Sequence, residues 1–231
     1  MNVTKEVISR YEGVIKIDAS AYGLEQERDI KRMRRHLPGQ AKVLDIGCGF
    51  GLPTAQAAQF FDVSACDVIN VHPSFLYDRD FTEMLMRMRG IDFTWINVNE
   101  LPYPAASFDG ILIYAVIEHI ADKEPFLREC ARVLKPGGKI FAFRAVNKRA
   151  FAEWFARRLG IATHGDDVVT EPMLRTAFSN TGFRIDEIGY QGWLPENGLP
   201  RWPIYLMNQV LTRIPLINIF SHDYWLIATK T

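Results

Sequence analysis

The chain has 231 residues, 48% of them hydrophobic, and a formal net charge of zero from 27 basic and 27 acidic side chains. This length suits one α/β domain with a sizeable core and would cramp two. The balanced charge argues against a general electrostatic nucleic-acid binder, and the sequence offers no apolar run of about 18 residues for a spanning helix.

Residues 1–24 carry no clear period, and the polar start Met1–Val7 lacks the apolar stretch of a secretory signal. Cys48, Cys66 and Cys130 are scattered without C-x-x-C pairing. Small buried thiols are therefore expected, rather than a disulfide framework or a zinc site. A cytoplasmic, reducing location is the default expectation. Residues 25–36 read as a helix with acids leading and bases trailing, stopped by Pro38-Gly39. Its basic run, Arg32, Arg34 and Arg35, reads as a solvated face.

The first strand, Lys42–Ile46, runs into the stretch Val43-Leu-Asp-Ile-Gly-Cys-Gly-Phe-Gly51, and a helix follows over 52–60. Strand, glycine turn and helix make a nucleotide site in an open α/β sheet. Glycines at alternate positions, Gly47, Gly49 and Gly51, let the backbone turn sharply and let a ligand approach it. The pattern is G-x-G-x-G. Leu52 stands where a dinucleotide fingerprint has its last glycine, and there is no Gly-Lys-Ser/Thr of a phosphate-binding loop. Asp45 beside the turn suits a ligand bearing an ammonium or sulfonium group better than a phosphate. The stretch resembles the first motif of class I S-adenosylmethionine-dependent methyltransferases.

The next strand, 61–68, ends at Asp67, 22 residues after Asp45. An acid at the end of the second strand of such folds accepts hydrogen bonds from ribose hydroxyls. Residues 70–80 form a long loop that includes His72. A helix over 81–89, a strand over 93–98 ending near Asn97, a continuous apolar strand over 111–116 and a helix over 124–134 follow. Lys135-Pro-Gly-Gly138 stops that helix before a strand at 139–143. These alternations predict a parallel sheet with right-handed crossovers and a ligand crevice at the strands' carboxyl ends, which carry Asp45, Asp67, Asn97, Tyr114 and Arg144. Farther on, 149–160 reads as an amphipathic helix over the crevice mouth. Thr170 caps a helix reaching about Asn180, and strands follow at 183–190 and 222–230.

Together the glycine turn, Asp67, Asn97-Val-Asn-Glu-Leu-Pro, Ser-Phe-Asp, Ile-Glu-His and Arg132-Val-Leu-Lys-Pro-Gly-Gly resemble the ubiquinone/menaquinone-biosynthesis-like branch of those methyltransferases. The resemblance implies a Rossmann-like, doubly wound, mostly parallel seven-stranded sheet whose last strand is antiparallel. It implies S-adenosylmethionine as cofactor and methyl transfer to a small-molecule acceptor. Asp45, Gly47, Cys48, Gly49 and Gly51 would line the donor; Gly47 and Gly49 would approach its methionine and ribose. Asp67, with Val68 beside it, would take the ribose hydroxyls. Asn97 and Val98 would flank the adenine, Asn97 replacing the family's usual Asp, and Tyr114 would lie near the methionine end. Where related enzymes carry a Glu three residues before a metal-linked Glu-His pair, this chain has Ala115, so no metal is predicted at Glu118-His119. His119 is instead a candidate general base, or a helix-start residue that bonds the turn. A non-catalytic S-adenosylmethionine-binding regulatory or assembly protein is the alternative.

The expected organisation is one methyltransferase domain over 1–231. It comprises an N-terminal helical cap at 1–40, a cofactor core at 41–146, and substrate-side segments at 147–170 and 191–221. The last segment is strongly apolar and broken by prolines. An apolar or lipid-linked acceptor pocket, peripheral membrane contact, homodimerisation and plain packing on the sheet edge all stay open for it.

Overall fold

The computed structural model describes residues 21–68, 79–97, 99–160, 168–192 and 201–231. Among these residues seven strands form one sheet: β1 (Lys42–Ile46), β2 (Asp62–Val68), β3 (Asp92–Ile96), β4 (Phe108–Tyr114), β5 (Leu134–Val146), β6 (Phe183–Gln191) and β7 (Asp223–Lys230). Their order is β3-β2-β1-β4-β5-β7-β6. β1 to β5 pair in parallel, and β7 inserts antiparallel between β5 and β6. The sheet is mixed, as the expected antiparallel last strand requires.

The helices are α1 (Ala21–Met33), α2 (Leu52–Ala57), α3 (Arg79–Met88), α4 (Lys123–Val133), α5 (Phe151–Arg158), α6 (Glu171–Asn180) and α7 (Arg201–Leu211). Strand periodicity divides the core into two layers. Val43, Leu112, Phe141 and Ile227 meet Ile30 and Met33 of α1 on one face. Leu44, Ile111, Ile140 and Leu226 meet Phe126 and Leu127 of α4 and Phe178 of α6 on the other. All three cysteines are free and buried, as expected. Thr170 caps α6 by accepting from the Met173 N–H at 3.4 Å.

Three features differ from the sequence reading. β5 starts at Leu134, because Phe108 already pairs with Leu134; the Pro-Gly-Gly step produces a register shift within the strand rather than a loop before it. The second concerns α1, whose charges are not all solvated. Glu25 and Asp29 are buried, and Arg32 lies 3.9 Å over the Trp225 ring while holding Asp29 at 2.7 Å. The physical reason lies at the carboxyl edge, where Arg144 meets Glu25 and Gln191 meets Asp29. The third is α5, whose amphipathic pattern is inverted: Glu153 is buried while Phe151, Trp154 and Phe155 are exposed.

Within 191–221, residues 193–200 lie outside the described set. The remainder forms α7, which packs on α1, and a 3-10 turn at Asn218–Phe220. Pro203 sits in the first turn of α7, where a missing N–H costs no helical bond. No helix among the described residues is long and apolar enough to cross a membrane.

Candidate functional site

The strand order reverses between β1 and β4, the position at which open α/β sheets hold ligands. The glycine turn fills this position. Gly47 and Gly51 have φ of 76° and 71°, in the left-handed region that glycine enters without penalty. A Cβ on Gly47 would lie 2.3 Å from Val116 Cγ2, so both backbone and space demand glycine there. The turn is fixed from several sides. Gly47 and Cys48 donate to the Cys66 carbonyl at 2.8 and 3.2 Å. From α3, the Thr82 hydroxyl donates to the Gly49 carbonyl at 3.3 Å and Arg89 to the Gly51 carbonyl at 2.9 Å.

Two carboxyl groups flank the turn. Asp67, buried at the end of β2, accepts from the Gly49 N–H at 2.8 Å and from the Val68 N–H at 2.7 Å. The acid and the turn, 18 residues apart, are therefore joined directly. Asp45 is fully buried; its Oδ2 accepts from the Thr54 hydroxyl at 2.6 Å, and its Oδ1 has no hydrogen-bond partner among the described residues. Burial pushes the Asp45 carboxyl up to about 7; the Thr54 bond opposes this, and the charge of Asp67 adds to it. Burial likewise pushes the Cys48 thiol well above its usual range, so Cys48 serves as a small apolar wall.

The other predicted residues are spread along the same edge. Asn97 is exposed just past β3 and bridges to Glu100, while Val98 and His72 lie outside the described residues. Tyr114 is buried at the end of β4 with its ring 6.2 Å from Phe143. His119 is half-buried at the end of the 3-10 turn Ile117–His119, its N–H donating to the Val116 carbonyl at 2.9 Å. Glu118 beside it is buried, and burial pushes its carboxyl up to about 8. Among the described residues no group of three or more His, Cys, Asp or Glu side chains is arranged to hold a metal ion.

Arg144 is expected on this edge, but the sequence does not reveal its partners or the backbone beside it. Ala115 and Arg144, just past β4 and near the end of β5, have φ of 54° and 60° without being glycine. Strained backbone of this kind persists where its surroundings over-determine it. Arg144 is held by Glu25 at 2.9 Å and by Asp223 at 3.2 Å. Asp223 in turn takes His222 Nδ1 at 2.6 Å, and His222 Nε2 lies 3.4 Å from Glu153. Only an Arg or His at a strand end could have hinted at this, and that signal is weak.

A mostly parallel sheet with a glycine turn and acidic strand ends at its switch point defines a protein built to hold a nucleoside-type cofactor. Residues 44–142 match the family described as methyltransferase domain. The chain is 30% identical over 170 residues to the ubiquinone biosynthesis O-methyltransferase of Xanthomonas axonopodis pv. citri, covering 68% of this chain and 69% of that one. Among solved structures it is similar to a SAM-dependent methyltransferase from Aquifex aeolicus, with TM-score 0.60, 15% identity, and coverage of 88% of this chain and 90% of that one. It is also similar to phosphoethanolamine N-methyltransferase 2 of Haemonchus contortus in complex with S-adenosyl-L-methionine, with TM-score 0.57, 20% identity, and coverage of 88% and 52%. The chain belongs to the class I S-adenosylmethionine-dependent methyltransferases, and S-adenosylmethionine is its cofactor. The residues present fit that group. A buried acceptor oxygen, Asp45 Oδ1, stands without a partner among the described residues beside a turn that excludes side chains, and no basic residue follows the turn to demand a phosphate.

Proposed function

We propose that this enzyme methylates a hydroxyl oxygen on a small apolar acceptor, working as one domain in which 147–170 and 191–221 lie on the acceptor side. The observation that carries the donor half is the Gly49–Asp67 bond, which unites the turn with the acid at the end of β2. Asp67, beside Val68, would take the ribose hydroxyls. Gly47, Cys48, Gly49, Gly51 and Asp45 would surround the methionine and ribose, with Tyr114 at the methionine end. Asn97 and Val98 would hold the adenine. The bound cofactor supplies an electrophilic methyl on a sulfonium, so the protein's chief task is alignment. His119 would accept the acceptor's hydroxyl proton as a general base. The O-methyltransferase name of the Xanthomonas relative favours oxygen as the methylated atom, and the apolar 201–221 segment favours an apolar acceptor.

Asp67 also latches the loop, so simple loss of binding would not separate ribose recognition from loop support. Isothermal titration with S-adenosylhomocysteine and with its 2′-deoxy analogue makes the distinction. Wild type should bind the parent compound at least about tenfold more tightly than the analogue, one charge-assisted hydrogen bond's worth. Asp67→Ala should bind both weakly and alike. Equal discrimination by the two proteins would refute the ribose assignment.

A further inference from the structure

Helix α1 buries an amide that its neighbours do not use. Gln26 is 1% exposed, and its Oε1 accepts no hydrogen bond among the described residues. Glu25 beside it differs, since its carboxylate meets Arg144 at 2.9 Å. A carbonyl buried without a donor costs stability. Such a group calls for an explanation, and a ligand that supplies the donor is one.

Helical spacing shows where Gln26 faces. Ile30, four residues on and on the same stripe, packs in the core layer that holds Tyr114 and Phe143, with Ala115 against it. Gln26 lies one turn nearer the carboxyl edge, at the level where Glu25 reaches Arg144. The Arg28 guanidinium is within electrostatic reach of Tyr114 at the end of β4 and of Tyr205 in α7. α1 packs both on α2, the helix that follows the glycine turn, and on α7. Gln26 therefore stands over the tip of β4, between the donor turn and the segment assigned to the acceptor. The transferable methyl has to lie between those two.

We propose that Gln26 is a donor-recognition residue whose Oε1 faces the sulfonium methyl of S-adenosylmethionine and distinguishes the charged donor from its neutral thioether product. This rests on the placement of the methionine end at Tyr114. A sulfonium carries a full positive charge but no N–H or O–H, so its polarised methyl C–H bonds are its donors, and a desolvated carbonyl is a matching acceptor. The methionine ammonium is better served by the carboxyl of Asp45 at the tip of β1. Transfer of the methyl removes the charge and the C–H donors together. The contact is then lost on turnover, which favours exchange of product for fresh donor.

The test is isothermal titration of the full chain with S-adenosylmethionine and, separately, with S-adenosylhomocysteine. Gln26→Met keeps the length of the side chain and removes its carbonyl. It should weaken S-adenosylmethionine about fivefold and change S-adenosylhomocysteine by less than about twofold. Gln26→Glu keeps an acceptor oxygen in the same place and should hold or raise the wild-type preference. Without ligand, Gln26→Met should melt no lower than wild type, because it removes an unpaired buried carbonyl. Equal weakening of both compounds, unchanged affinity for both, or a lower melting temperature for ligand-free Gln26→Met would overturn the proposal. Wild type that binds neither compound would overturn it together with the donor-site reading on which it rests.

Discussion

Asp45→Asn tests the buried carboxyl at the head of the glycine turn. Asp45 is inaccessible to solvent, and burial raises its carboxyl from the ordinary 3.8 to about 7. The folded chain therefore keeps a proton that the unfolded chain releases. Below about pH 4 both states are protonated, and the folded state has its full advantage. As pH rises from there, stability falls by about 1.4 kcal/mol per pH unit. Above about pH 7 both states are ionised, and the loss is complete at about 4 kcal/mol. Asparagine has the same shape, cannot ionise, and still offers a carbonyl oxygen to the Thr54 hydroxyl. Urea unfolding of both proteins should show wild type losing about 3 kcal/mol relative to Asp45→Asn between about pH 5 and about pH 8. Titrating groups far from Asp45 cancel in that difference. A constant difference across this range, or one that favours wild type as pH rises, would refute the argument.

Gly47→Ala should destabilise the chain by about 2–3 kcal/mol, from a left-handed backbone and a clash with the stiff Val116 side chain; the change in melting temperature, with weakened S-adenosylhomocysteine binding, measures it. Arg144→Ala leaves Glu25 and Asp223 buried without their shared cation, and chemical denaturation should show a loss of about 3–5 kcal/mol. Burial alone would lower the His222 pKa, but Asp223 and then Glu153 outweigh it and push the imidazole from 6.5 up to about 9. The stability this contributes is fully present below about pH 6.5 and is lost as pH rises through about 9. An NMR titration should place the His222 ring near that upper value, and His222→Gln should cost stability at about pH 6 but not at about pH 10.

What could be read from the sequence depended on how far apart the interacting residues lie along the chain. β1 and the cap of α6 follow from short-range patterns that the fold does not override, a short apolar run before a glycine turn and a threonine before Glu-Pro. The glycine turn and Asp67 were legible for the same reason, since the turn's chemistry and the acid's spacing sit within one strand–helix–strand unit. Arg144 and Glu25 are 119 residues apart, and nothing near either residue names the other. Without that partner, the acids of α1 read as dipole-matched and its arginines as solvated, although Glu25 and Asp29 are buried. Ala115 and Arg144 adopt left-handed backbone with no glycine to announce it: Ala115 follows the end of β4, and Arg144 sits at the register shift between β5 and β7. The Ala115 N–H still donates to the Phe143 carbonyl at 2.9 Å, and β5 runs on beside β7 to Val146. The carboxyl edge therefore has two parts. On one side lies a turn whose geometry glycine encodes. On the other lies a cluster of charges, Arg144 between Glu25 and Asp223, held by tertiary pairing that no local pattern encodes.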